Sequence, residues 1–386
     1  MDQGTVQTMF ALLRSAIRGT TLADEEREAY SREQLSELVE MAQRHDVVHL
    51  LALGLKQNAL LTPEDRDITK RILEAVYRYE RLNYEYTQVC SALEAAQIPF
   101  IPLKGSVLRK YYPEAWMRTS CDIDVLVHGE DLNAAISCLT SHLQYVEKER
   151  TPHDVSLITP RGNCVELHFD LVEEGRANNA INVLSSAWEN VSLRENSGYW
   201  YEMTDAFFYF YHIAHMAKHF ETGGCGIRPF IDLWLLDRID EADRKERDKV
   251  LEEGGLLKFA NTARKLSNVW FDAETVDELL MQTQNFILHG GVYGSTDNRV
   301  ALQQKKKGGQ FGYLLSRVFI PYTKLKRYYP ILEKHRWLTP VMQIRRWFML
   351  LDPNVAQMAK SEMAVNRSIQ KSTADTMNSF LDEIGL

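Results

Sequence analysis

Two aspartates stand one residue apart in the segment Arg118-Thr-Ser-Cys-Asp122-Ile-Asp124-Val-Leu-Val127. The compact β-branched run that holds them reads as a strand. Side chains alternate along a strand, so Asp122 and Asp124 share one face while Ile123 and Val125 turn into the core. Two carboxylates this close repel each other unless a counter-charge is supplied. A divalent cation supplies it, and Mg²⁺ favours hard oxygen donors from a few carboxylates together with substrate phosphates.

A third acid is expected beside the pair. In Val165-Glu166-Leu167-His168, alternation puts Glu166 and His168 on one face of another strand of the same small sheet. Three carboxylates from two neighbouring strands can hold two Mg²⁺ or Mn²⁺ ions, one to activate an attacking hydroxyl and one to stabilise a leaving pyrophosphate. Upstream, Lys104-Gly105-Ser106 follows an apolar segment and opens a helix. The glycine allows close backbone approach, the helix start offers free N–H groups, and the serine adds a hydroxyl. Lys104 and Arg118 are candidate charge partners for a triphosphate.

These residues need elements to hold them. Residues 96 to about 172 read as strand, helix, strand, helix and then two paired strands, with a turn at Pro160-Arg161-Gly162-Asn163. Both flanks carry apolar residues at helical spacing, including the run Ser31–Leu55 and the long run Asp67–Gln97. The expected organisation is α+β: an N-terminal helical region over 1–95, a small mixed-sheet core over 96–175, and a C-terminal helical region over 176–386. Residues 303–312, QQKKKGGQFG, read as an exposed loop.

Composition narrows the class further. The chain has 386 residues and a formal net charge of -8, which argues against a surface uniformly coated by nucleic acid. Its five cysteines are scattered without a C-x-x-C pair, which suits buried thiols in a reducing compartment. The N-terminus lacks a signal-peptide pattern, and no stretch has the roughly 18 uninterrupted apolar residues of a membrane span. A cytoplasmic protein is expected.

The order strand, Gly-Ser, helix, Asp-x-Asp on a strand, and then a later acidic strand resembles the nucleotidyltransferase superfamily, the polymerase-beta-like fold. More narrowly, LKGSVLRKYY, WMRTSCDIDVLV and GNCVELHFDL are similar to the uncharacterised bacterial family filed as NTP-transferase type 5. The segment Ala42–Val47, the later HIAHMAKHF with RPFIDLWLL, and YYPILEKHRWLTP extend the resemblance over most of the chain. It implies metal-dependent transfer of a nucleoside monophosphate from an NTP such as ATP, with loss of pyrophosphate. Carried over, Gly105 and Ser106 match the phosphate-binding pair, and Asp122, Asp124 and Glu166 match the metal triad. Fifteen residues separate Ser106 from Asp122, more than the superfamily commonly shows. The acceptor, whether small molecule, peptide or RNA, the base preference and the oligomeric state stay open. The rival readings are a nucleotide-binding regulator without turnover and a toxin-like enzyme that modifies tRNA.

Other residues are weighed beside these. His212, His215 and His219 share a face of one predicted helix. Zinc would need a fourth ligand, for which Cys225 is the nearby candidate. The resemblance instead places this face along the active-site cleft, with hydrogen-bonded core histidines as the alternative. Arg228 either pairs with Asp232 along a helix or faces the nucleotide. Residues 305–346 carry eleven Lys or Arg against one acid, Glu333, with Tyr322, Tyr328, Tyr329, Trp337 and Trp347 interleaved. The aromatics are expected in the core and the charges on a solvated face; a grip on RNA is the alternative.

Overall fold

The computed structural model describes residues 2–172, 178–239, 243–292, 294–329 and 331–386. The chain is α+β, a five-stranded mixed sheet with helices before and after it. Strands β1 (Phe100–Pro102), β2 (Asp122–Val127), β3 (Val146–Arg150), β4 (Asp154–Ile158) and β5 (Cys164–His168) lie in the order β1-β2-β5-β4-β3. β2 and β5 run parallel, and the other neighbouring pairs are antiparallel. The expected β4–β5 turn is present one residue early: Gly162 N–H donates to the Thr159 carbonyl at 2.8 Å, with Gly162 at φ +80. The expected pattern lacked β3. Its sequence VEKER is exposed throughout, so no buried alternation marks it, and its charges suit an edge strand.

One face of the sheet makes the core. Ile123, Val125, Val155, Leu157, Val165 and Leu167 are fully buried under two helices, Arg66–Ala95 and Leu132–Leu143. The first contributes Leu82, Val89 and Leu93, and the second Leu132, Ala135 and Leu139. Because strand side chains alternate, this burial sends Asp122, Asp124, Glu166 and His168 to the opposite face.

The flanks hold two departures that bear on the site. The run expected as one helix over residues 31–55 is broken into Leu35–Arg44 and Val48–Gln57, with Asp46 between them at φ +52. The apolar spacing continues across the break, which is why the sequence pattern concealed it. After the sheet comes a short hairpin, β6 (Val191–Leu193) with β7 (Tyr201–Met203), in a region expected to be helical. Phe100 of β1 donates its N–H to the Tyr199 carbonyl at 2.9 Å and bridges Trp200, so the hairpin continues the β1 edge. Three-residue strands are too short to show a period of two.

The chain forms two compact units. One comprises residues 1–216 and 226–284, and the other residues 217–225 and 285–386. The sheet lies in the first. The expected boundary at 175/176 falls outside the described residues. No helix among the described residues is long and apolar enough to cross a membrane.

The second unit overturns two expectations. Residues 303–312 are not a loop. They form the end of helix Thr296–Lys306, a turn with Gly308 and Gly309 at positive φ, and the start of helix Gly309–Val318. Lysines and glycines dominate the segment, while the buried residues that specify the helices, Val300, Ala301 and Tyr313, are spread around it. The aromatics of 305–346 are not core as a set either. Tyr328 and Trp337 are exposed, and Tyr322, Tyr329 and Trp347 are half-buried.

Candidate active site

The site begins with register. The parallel pairing of β2 and β5 sets Asp124 opposite Glu166, Asp122 opposite Cys164 and Leu126 opposite His168. Asp124, Glu166 and His168 therefore converge, and each offers one ligand atom within 4.8 Å of the others. Among the described residues this is the one group of three His, Cys, Asp or Glu whose ligand atoms all lie that close, and Asp122, on the same face of β2, stands outside it. The His212, His215, His219 and Cys225 set is not such a group among the described residues.

Asp124 is the buried centre. His168 Nε2 lies 2.9 Å from its Oδ1 and 3.5 Å from Glu166 Oε2. Lys104 Nζ donates to the same Oδ1 at 2.8 Å. Burial opposes the Asp124 charge, but Lys104 and His168 hold its carboxyl far below the usual carboxylate range. Burial also opposes the charges of the two partners. Asp124 offsets it, leaving the Lys104 ammonium well above its ordinary value and the His168 imidazole, which Glu166 also supports, raised.

Lys104 reaches this position through unusual backbone. Its φ is +46, in the left-handed region that costs a non-glycine residue about 1–2 kcal/mol. Leu103 N–H donates to the Asp124 carbonyl at 3.0 Å, fixing the chain where β1 gives way to the short helix Lys104–Leu108. The ammonium thus comes to the carboxylate at the expense of backbone comfort, which points to function at this turn.

Asp122 has a different environment. The neighbouring Asp124 charge, then burial, push its carboxyl up to about 6, with Glu166 adding to the effect and Lys104 and Arg118 opposing it. The native state therefore binds more protons than the unfolded chain as pH passes from the ordinary aspartate range up to about 6. The contribution of Asp122 to the stability of the metal-free protein therefore falls as pH rises through that window. A cation ligated by Asp122 displaces the proton. Mg²⁺ is expected to raise the thermal midpoint more near pH 7.5 than near pH 5 (both about). Equal shifts at the two pH values, measured by scanning fluorimetry, would remove Asp122 from the ligand set.

The remaining residues singled out from sequence are placed apart from this cluster. Gly105 packs against Ser120: a Cβ built on it would meet Ser120 Cβ at 3.1 Å and Arg118 Nη1 at 3.6 Å. Ser106 is buried with its Oγ unpartnered. It borders a cavity of about 370 Å³ lined also by Tyr86, Lys110, Arg194 and Trp200, and by none of the three carboxylates. Arg118 is buried and donates from Nε to Asp232 Oδ1 at 2.7 Å, an atom that also accepts from the Tyr112 hydroxyl at 2.7 Å. Arg228 does not pair with Asp232. Its Nη1 lies 2.5 Å from Asp46 Oδ2 and 3.0 Å from the Thr119 carbonyl. His212 is a buried core residue, 3.0 Å from the Pro229 carbonyl, with its pKa lowered by burial. His215 stands beside Tyr211, and His219 belongs to the second unit.

Sequence reasoning missed the brace behind β2. Asp46 accepts from Arg228 and Arg78 and from the Thr119 hydroxyl, and His49 Nε2 lies 2.8 Å from the Met117 carbonyl. Burial pushes the His49 imidazole down to about 4. Asp46, in the break between two N-terminal helices, and His49, in the helix that follows, therefore hold Met117–Thr119, the segment that leads into Asp122. One signal was available: Asp46 lies inside the Ala42–Val47 segment, and Asp232 is a lone carboxylate in the apolar run FIDLWLL.

The α+β sheet with acids from two parallel strands is that of a nucleotidyltransferase-like protein. Residues 31–272, more than half of the chain, match the model of a family described as uncharacterised nucleotidyltransferase, and the chain belongs to that family. No curated protein and no solved structure matches it.

Proposed function

We propose that this protein is a metal-dependent enzyme that transfers a nucleoside monophosphate from an NTP to an acceptor and releases pyrophosphate. The observation that carries the reading is the pairing of Asp124 with Glu166 across parallel strands, which adds a third carboxylate to the Asp122–Asp124 pair. The donor set fits Mg²⁺ or Mn²⁺: all three acids present hard oxygens, and Asp122, held protonated up to about 6, lacks sufficient counter-charge. Asp124 and Glu166, whose oxygens already converge, would hold the metal together with Asp122 on the same face of β2, and the metal would supply charge stabilisation at the reacting phosphate.

The chain's own residues take the remaining roles. Lys104 neutralises Asp124 and stands where a phosphate oxygen would be drawn to the cluster. His168 fixes the Asp124 and Glu166 carboxylates against each other. Glu166 is half-exposed and orients the acceptor hydroxyl, accepting its proton as the oxygen attacks the α-phosphorus and the bond to pyrophosphate breaks. Gly105 permits the close packing of the Lys104 turn on Ser120. Arg118 and Arg228, held by Asp232 and Asp46, act as positioning residues for β2.

Calorimetric titration with each of the four NTPs, with and without Mg²⁺, tests the reading. One NTP or more is expected to bind wild type only with the metal present, and the Asp122→Asn/Asp124→Asn variant is expected to lose that binding. Metal-independent binding that the double variant retains would place the nucleotide elsewhere.

A further inference from the structure

We propose that the second compact unit carries a membrane-docking face, and that its partner is an anionic lipid bilayer surface. The proposal is independent of the reaction assigned to the first unit.

The observation is a concentration of exposed apolar side chains. Among the described residues, thirteen of the nineteen exposed large hydrophobic side chains fall within residues 311–358, about an eighth of the chain. Soluble surfaces scatter such residues singly, and contiguous patches mark interaction sites.

The side chains are ordered by helical geometry. Helix Gly309–Val318 turns Tyr313 into the core with Val300 and Ala301, while Phe311, Leu314 and Leu315 stay exposed at i, i+3 and i+4. Helix Thr339–Trp347 exposes Val341 and Ile344, and Phe348 just past its end continues the same stripe. The two helices touch at their C-terminal ends. Trp347 Nε1 donates to the Val318 carbonyl at 2.9 Å, and the Trp347 ring lies edge-on to exposed Phe319, with centroids 5.5 Å apart. Trp337, which is 74% exposed, precedes the second helix.

Charge selects the occupant. Residues 311–358, which hold that apolar set, carry eight Lys or Arg and two acids, with Lys305–Lys307 just before them, within a chain whose net charge is -8. A basic, aromatic and aliphatic face is what an interfacial element lays into an anionic headgroup region. RNA would use the cations and the aromatic rings, but it offers nothing to bury Leu314, Leu315, Val341 and Ile344. Lipid acyl chains bury all of them. Since no described helix is long and apolar enough to span, the face lies on the bilayer.

Sedimentation of the full chain with vesicles of phosphatidylcholine, with and without phosphatidylserine, tests this. Binding is expected with the anionic vesicles and much less with neutral ones, and to weaken as salt is raised. Phe311→Ser/Phe348→Ser is expected to weaken binding at least tenfold, on the order of one buried aromatic ring. Lys305→Ser/Lys306→Ser should weaken it too, at roughly fivefold per charge. Circular dichroism and the thermal midpoint check that both variants are folded. Equal binding to neutral vesicles, no binding to either, or wild-type binding by the Phe variant overturns the proposal. So does preferential, salt-sensitive capture of single-stranded RNA that the Phe substitutions leave unchanged, or dimerisation in solution that those substitutions abolish.

Discussion

Replacing Asp122 and Asp124 singly by asparagine is expected to abolish nucleotidyl transfer in both cases while moving stability in opposite directions. At neutral pH the Asp122 carboxylate is ionised against the pull of its neighbours, since its carboxyl is held up to about 6 mainly by Asp124. That opposition amounts to at most about 3 kcal/mol. Asp122→Asn removes it, so the metal-free variant should melt at or above the wild-type temperature. Asp124→Asn does the reverse. It leaves the Lys104 ammonium and the raised His168 imidazole without the carboxylate that holds them. Breaking a well-buried pair costs about 3–5 kcal/mol, and partial exposure of the Lys104 side chain reduces the figure here. Activity should fall at least about a hundredfold in each variant, the scale of losing one preorganised electrostatic contact. Lys104→Met added to Asp124→Asn should restore part of the stability and none of the activity. The measurement is a thermal melt beside an assay of pyrophosphate release run well below both midpoints. A destabilised Asp122→Asn would contradict the electrostatic account. Full activity in either variant would remove that residue from the catalytic set.

The legibility of this site in the sequence follows the range of the interactions. Asp122 and Asp124 could be read as one face because a period of two is local, and the alternating Ile123 and Val125 are fully buried as that reading requires. Glu166 and His168 were likewise readable as a pair on one strand. That β5 lies directly beside β2, and parallel to it, is long-range information that no local pattern carries. The roles of Arg118, Arg228 and Asp232 show the limit more sharply. Spacing of i and i+4 suggested Arg228 with Asp232, yet each charge finds its partner far along the chain, Arg228 with Asp46 and Asp232 with Arg118. Helical spacing states which residues can meet. Burial decides which do, because an arginine carried into the interior takes the carboxylate that the tertiary fold delivers to it. The hairpin β6–β7 and the break at Asp46 were hidden for a related reason: each is short, and each interrupts a pattern whose apolar spacing continues on both sides.

The buried Arg118–Asp232 pair yields the largest stability effect. Asp232 is fully enclosed and accepts from both Arg118 and Tyr112 through one oxygen. Asp232→Ala strands the Arg118 guanidinium in the interior beside Arg228, and should destabilise by about 3–5 kcal/mol. For a chain of this size that lowers the thermal midpoint by roughly 5 °C. Arg118→Met combined with Asp232→Ala removes both charges and should recover much of the loss, since replacing a whole buried pair costs far less than breaking it. The combined variant also separates two roles for Arg118. If the guanidinium only braces the segment before β2, the double variant binds NTP with near wild-type affinity and loses turnover in proportion to how far Asp122 shifts. If the guanidinium contacts the triphosphate, the double variant stays folded but its NTP affinity falls, by about tenfold or more for one charge-assisted hydrogen bond. Calorimetry on the folded double variant decides between them. The distances favour the brace: Arg118 Nε is engaged with Asp232 at 2.7 Å and Nη1 with the Thr119 carbonyl at 2.7 Å, so a nucleotide would compete with two short contacts for the same group.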